Sequence, residues 1–169
     1  MKLKHVFVLL FSCMIMSAKA QLDVDTSLPY IKHPEMPAFR IQLLDSVKFL
    51  NTFNIKAGKA TMLMLFSPDC EHCQHMADSM KNHMAELKDV QIYMFSFMEL
   101  RDIKKFAEKY TLNKHKNIVF GKDIDFFFAG FYQLKAVPGI AVYDKNKKFV
   151  KLFNGSAKIQ DIISTMQQL

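Results

Sequence analysis

Cys70-Glu71-His72-Cys73 stands where two periodicities meet. Before it, Ala60 to Phe66 is a nearly continuous apolar run, which suits a central strand covered on both faces. After it, Cys73, Met76, Met80, Met84 and Leu87 recur at steps of three and four, the spacing of one helix face. Lys81, Asn82 and Glu86 fall off that face. The methionines read as filling for a core stripe rather than as copper ligands. Pro68 separates the two segments and marks the end of the strand. A buried strand turning directly into a helix, with a cysteine pair at the turn, restricts the chain to a layered α/β arrangement.

The remaining segments extend that pattern. Residues 21–58 read as an N-terminal extension: Pro29, Pro34 and Pro37 keep its first part extended, and Ala38 to Leu50 forms a small hairpin turning near Asp45-Ser46, with Gly58 closing the connection. Residues 59–169 read as the main domain. Within it Val90 to Phe95 is a second strand, and Leu100, Ile103, Phe106 and Tyr110 mark a second helix. Ile118 to Phe120 is a short strand end, and Ile124 to Leu134 is an apolar, helical segment. Ile140 to Tyr143 and Phe149 to Phe153 flank the turn Asp144-Lys145-Asn146-Lys147 and form an antiparallel hairpin. Ser156 is placed to cap a last helix that turns Ile159, Ile162, Ile163 and Met166 inward.

The first twenty residues read as an export signal. Lys2 and Lys4 supply a basic start, Val6 to Met16 an apolar stretch too short to span a bilayer, and Ala18-Lys19-Ala20 a small-x-small cleavage site. Cleavage after Ala20 discards Cys13; lipidation at Cys13 is the alternative, disfavoured by the bulky Phe11 and the apolar residues that follow. About 150 residues remain, enough for one full core and without a membrane span. The net charge falls from +7 to about +4, because three lysines leave with the signal. The remaining cations are scattered among acids, so no nucleic-acid-binding stripe is expected.

Cys70 and Cys73 are then the two cysteines left, and their spacing suits thiol exchange. A helix starting near Cys70 directs unpaired backbone N–H groups and its positive end at that sulfur, which favours the thiolate, the species that attacks disulfides. Cys70 is the candidate nucleophile. Cys73, one turn further in, is the candidate resolving thiol. His72, when protonated, adds to the helix effect; the carboxylates of Asp69 and Glu71 oppose it but are screened by solvent. His33, His75, His83 and His115 read as surface or helix-face residues.

Other chemistry fits poorly. Zinc needs about four ligands, and Cys70, Cys73 and His75 lack another. Haem attachment requires histidine after the second cysteine, where Gln74 stands. No metal and no organic cofactor is expected. A purely structural disulfide across so short a loop removes little chain entropy.

With the strand, the Cys-x-x-Cys pair at a helix start and Val137-Pro138-Gly139 ahead of a hairpin, Lys59 to Leu169 resembles the thioredoxin superfamily. The lead-in is similar to that of its exported TlpA/ResA-like branch. The resemblance implies a thioredoxin fold, a mixed central sheet flanked by helices, with Pro138 as a cis proline that positions an extended substrate. Two positions depart from the family pattern. Asp69 replaces the tryptophan common before the first cysteine, and Met64 replaces the buried acid that moves the resolving thiol's proton. The histidine before Cys73 and the valine before Pro138 look more like the oxidising DsbA-type arrangement. Ile124, Phe126, Phe127, Phe128 and Phe131 form an apolar cluster, read as a buried helix face, with the sharper alternative that some rings line a groove beside the cysteines.

Taken together, the residues and the resemblance lead to an exported thiol–disulfide oxidoreductase of a bacterial cell envelope. Its partners would be substrate proteins carrying disulfides or dithiols and a separate redox protein that recycles the pair, with reduction favoured over oxidation. The rivals are a binding or redox-sensing platform on the same fold and a peroxiredoxin-like peroxidase. The peroxidase lacks its Pro-x-x-x-Thr-x-x-Cys pattern, Ser67 standing where threonine is required.

Overall fold

The computed structural model describes residues 25–169; the expected export signal, the expected cleavage after Ala20 and Cys13 lie outside the described residues. Seven strands make one mixed sheet: β1 (Arg40–Leu43), β2 (Phe49–Asn51), β3 (Thr61–Leu65), β4 (Gln91–Ser96), β5 (Ile118–Asp123), β6 (Gly139–Tyr143) and β7 (Phe149–Asn154). Their order is β2-β1-β5-β4-β3-β6-β7. β3, β4 and β5 run parallel, while β6 and β7 on one side and β1 and β2 on the other are antiparallel additions. Among the described residues five α-helices accompany them: α1 (Pro29–Lys32), α2 (Glu71–Asn82), α3 (Leu100–Lys109), α4 (Phe127–Phe131) and α5 (Ile159–Gln167). This is the α/β thioredoxin fold.

β3 lies between β4 and β6 and is buried along its whole length, as its unbroken apolar run demands. Its side chains alternate between two cores. Met62, Met64 and Phe66 join Cys73, Met76, Met80, Ile103, Phe106 and Ile162 in the layer under α2, α3 and α5. Leu63 and Leu65 face the other layer, built from Phe39, Phe95, Phe128, Tyr132 and Tyr143. Each fully buried large apolar side chain contributes about 1.5–3 kcal/mol, so this double burial makes β3 a firm base for the loop that follows.

Several local expectations are corrected. The lead-in holds a short helix, α1, inside the stretch expected to be extended. Helix α2 stops at Asn82; Met84 and Leu87 are buried in the turns beyond it. β5 runs on past Phe120 to Asp123. The helical segment expected over 124–134 shrinks to α4, because Phe126 takes a left-handed conformation with φ of 52° just before it. Ser156 is not a cap: α5 begins after Lys158, whose side chain caps nothing, and Ser156 lies too far upstream. The hairpin of β1 and β2 does turn near Asp45-Ser46, with Ser46 at φ 62°. Through the β1–β5 pairing it belongs to the same sheet as the residues that follow.

Candidate active site

The chain leaves β3 through Phe66, whose N–H donates to the Phe95 carbonyl at 2.9 Å and prolongs the ladder. The Phe66 ring rests on Phe106 of α3, centroids 4.5 Å apart. Pro68 and Asp69 then turn the chain, with the Cys70 N–H donating to the Ser67 carbonyl at 3.1 Å. Cys70 is the N-cap residue of α2, extended in backbone (φ −82°, ψ 120°), so its sulfur sits at the helix start with no side-chain cap competing for the free N–H groups. Gln74 fixes the turn from within the helix: its Nε2 donates to the Pro68 carbonyl at 2.9 Å.

The second wall comes from β6. Antiparallel register pairs Leu65 with Gly139, so the residues entering β6 must meet those leaving β3. The Val137–Pro138 peptide bond in that entry is cis. The Cys70 thiol donates to the Val137 carbonyl at an Sγ–O separation of 3.5 Å. The Pro138 carbonyl in turn accepts the N–H of Gly155, at 3.0 Å, where φ of +90° suits glycine. Cys70, Val137 and Pro138 are thus brought together at one end of the sheet.

The two sulfurs have opposite surroundings. Cys70 is half-buried, and Cys73 is 0% exposed within the α2 core layer. The Ser67 N–H donates to Cys73 Sγ at 3.5 Å. Burial pushes the Cys73 thiol up to about 12, the neighbouring Cys70 sulfur adds to that rise, and the Ser67 N–H opposes it. Met64, on the adjacent strand, is fully buried in the same layer.

His72 is exposed and makes no hydrogen bond or ion pair with any described residue, so any influence on Cys70 acts through space. Asp69 and Glu71 are exposed too, and Glu71 lies 3.4 Å from His75 across one turn. His83 is tied to the Ser79 carbonyl and to Gln160 at the far end of α2. Among the described residues no group of three or more His, Cys, Asp or Glu could hold a metal ion. No helix among them is long and apolar enough to cross a membrane.

The phenylalanine cluster forms the buried face expected of it, and the alternative of a groove beside the cysteines is not what the rings build. Phe127, Phe128 and Phe131 pack with Phe39, Phe95 and Tyr132 in the layer opposite Cys73. Phe126 alone turns outward, 64% exposed and stacked on Phe97. The sequence reading missed the polar partners of both sulfurs, the Ser67 N–H and the Val137 carbonyl. Both are backbone groups, which leave no mark in residue identity.

A mixed sheet with a Cys-x-x-Cys pair at a helix start, set against a cis-proline loop, defines a thioredoxin-like protein. The family model described as a thioredoxin-like domain matches residues 52–169, and the chain belongs to that family. Solved structures agree on the fold. A secreted disulfide oxidoreductase of Mycobacterium tuberculosis, homologous to DsbE of E. coli, is 18% identical, with a TM-score of 0.65 over 78% of this chain and 96% of its own. A putative protein disulfide isomerase from Bacteroides thetaiotaomicron is 21% identical, with a TM-score of 0.63 over 79% and 84%. A putative thiol:disulfide interchange protein DsbE from Chlorobium tepidum is 17% identical, with a TM-score of 0.60 over 78% and 95%. No curated protein matches the chain.

Proposed function

We propose that the protein is an exported, DsbE/TlpA-like thiol–disulfide oxidoreductase. The observation that carries this reading is the half-exposed Cys70 sulfur at the start of α2, 3.5 Å from the carbonyl that precedes Pro138, with the Cys73 thiol one turn behind it. The Cys70 thiolate attacks one sulfur of a substrate disulfide; a mixed disulfide forms and the other substrate sulfur leaves as a thiolate. The Cys73 thiolate then attacks Cys70, closing the Cys70–Cys73 disulfide and releasing the second substrate sulfur. Two electrons pass to the substrate, and a dithiol redox protein returns them. The reverse cycle donates the disulfide instead. Pro138 is assigned the positioning of an extended substrate by resemblance, and His72 the support of the thiolate when protonated.

Resolution requires the Cys73 thiol to give up a proton that burial holds in place. No carboxylate contributes to the Cys73 environment, and Met64 fills the site beside it. The proton must pass to solvent or to the thiolate that the substrate releases.

Insulin reduction with dithiothreitol tests the reading: the protein should accelerate precipitation and Cys70→Ser should not. Equal rates for the two would favour a binding platform. The reduction potential sets direction, about −270 mV marking a reductant and about −120 mV an oxidant; reduction is the favoured direction. Export to the cell envelope predicts a mature protein beginning at Gln21, read by mass spectrometry of its N-terminus.

A further inference from the structure

A cleft of about 410 Å3 opens between helix α3 and the turn Pro68-Asp69, which immediately precedes Cys70 in the chain. Pro68 and Asp69 line one side, and Asp102, Lys105, Phe106 and Lys109 the other. The four α3 residues recur at steps of three and four and so share one helix face. Phe106 is 3% exposed and anchored on Phe66, which makes it a rigid floor. Lys105 and Lys109 stand exposed at the rim, and neither pairs with a carboxylate among the described residues. Lys109 instead lies against the Tyr110 ring, 5.1 Å from its centroid.

Two carboxylates, Asp69 and Asp102, share the cleft with the two lysines and offset them only in part. Asp102 already has a partner in Arg101, at 3.5 Å, and Asp69 is a single exposed carboxylate on the opposite side. Along α3, Arg101, Lys104, Lys105 and Lys109 face only Asp102 and Glu108, so the helix beside the cleft is net positive. An apolar floor with a cationic rim complements a polypeptide segment that carries carboxylates close to its reactive cysteine.

We propose that this cleft seats an acidic stretch of the substrate polypeptide, read by Lys105 and Lys109, while Cys70 engages the adjoining disulfide. The proposal rests on the thiol-exchange reading above and adds substrate class to it. Exposed ion pairs are individually weak, so two of them give a preference of about three- to tenfold, screened by salt.

The test uses three peptide disulfides identical except for the residues flanking the cysteine: Glu-Glu, Lys-Lys and Ser-Ser. With the reduced protein, kcat/KM should be about three- to tenfold higher for the Glu-Glu peptide than for the Lys-Lys peptide at low salt. The ratio should approach unity in about 0.5 M salt. K105E/K109E should invert the ratio and K105Q/K109Q should abolish it; each ratio is internal to one protein, so altered folding cannot mimic either change. Equal rates for the two charged peptides, or a ratio untouched by either double variant, would overturn the cleft assignment and leave thiol exchange standing. Failure to reduce even the Ser-Ser peptide would overturn thiol exchange, and the cleft assignment with it.

Discussion

Cys73 holds its proton where water does not reach. Its ordinary value of 9.0 rises to about 12 on folding, chiefly through burial, so the folded state keeps a proton that the unfolded chain gives up. The stability this protonated thiol confers is intact below about pH 9 and is lost progressively as pH climbs towards about 12. Urea melts of the reduced protein at pH 8 and pH 10 should therefore show a loss of about 1 kcal/mol that Cys73→Ala lacks. The tyrosines require that comparison. Burial also raises Tyr132 and Tyr143, whose hydroxyls hydrogen-bond each other in the other core, and they shift the alkaline limb in the same direction in both proteins. Burial has a kinetic consequence as well: iodoacetamide at pH 8 should label Cys70 at least about tenfold faster than Cys73, as peptide mapping would show. None of this can be read from Cys-x-x-C, which gives two sulfurs the same name and only a helix and a sheet give them different solvents.

Among the elements, β5 and α4 depend on two residues that a pattern search passes over. Asp123 is 1% exposed, and its carboxylate accepts the N–H groups of Phe127 at 3.1 Å and Phe128 at 2.9 Å. It caps α4 from the preceding strand and supports the left-handed turn at Phe126. Asp123→Ala leaves two N–H groups without that acceptor and should cost about 1–3 kcal/mol in urea unfolding. Gly121 meets a different constraint: a Cβ there would overlap Ile41 Cγ2 and the Gln42 carbonyl oxygen, where β1 crosses closely. Gly121→Ala should destabilise by about 1–3 kcal/mol by forcing β1 from β5, and hydrogen exchange should quicken in Arg40–Leu43 first. The apolar run over 124–134 looks helical because composition cannot tell a long helix from a short one bracketed by turns. Positive φ at Phe126 and Gln133 made that choice.

Across the whole molecule, the lead-in is joined to the body of the fold. Tyr30 packs on Tyr132 and Phe149, ring centroids 5.4 and 5.1 Å away. The Met36 N–H donates to the Lys147 carbonyl, the Phe149 N–H to the Pro34 carbonyl, and Glu35 pairs with Lys148. Residues 34–36 thereby cover the start of edge strand β7. Removing residues up to 38 should cost about 2–4 kcal/mol and keep a single unfolding transition, as calorimetry would show. Two transitions would mean that the lead-in is a separate unit.

The sequence alone determined the strand–helix junction at the cysteines, because a continuous apolar run and a three-to-four repeat are local signals that packing only confirmed. It determined the closing hairpin and last helix for the same reason, and the resemblance supplied Pro138. Tertiary structure decided what depends on distant chain segments. Antiparallel register between β3 and β6 brought Val137 to Cys70, the packing of α4 on the opposite face of the sheet kept three phenylalanines away from Cys73, and helix α3 set two lysines across a cleft from Pro68 and Asp69. Neighbours far apart in the chain meet through backbone geometry, which residue identity does not encode.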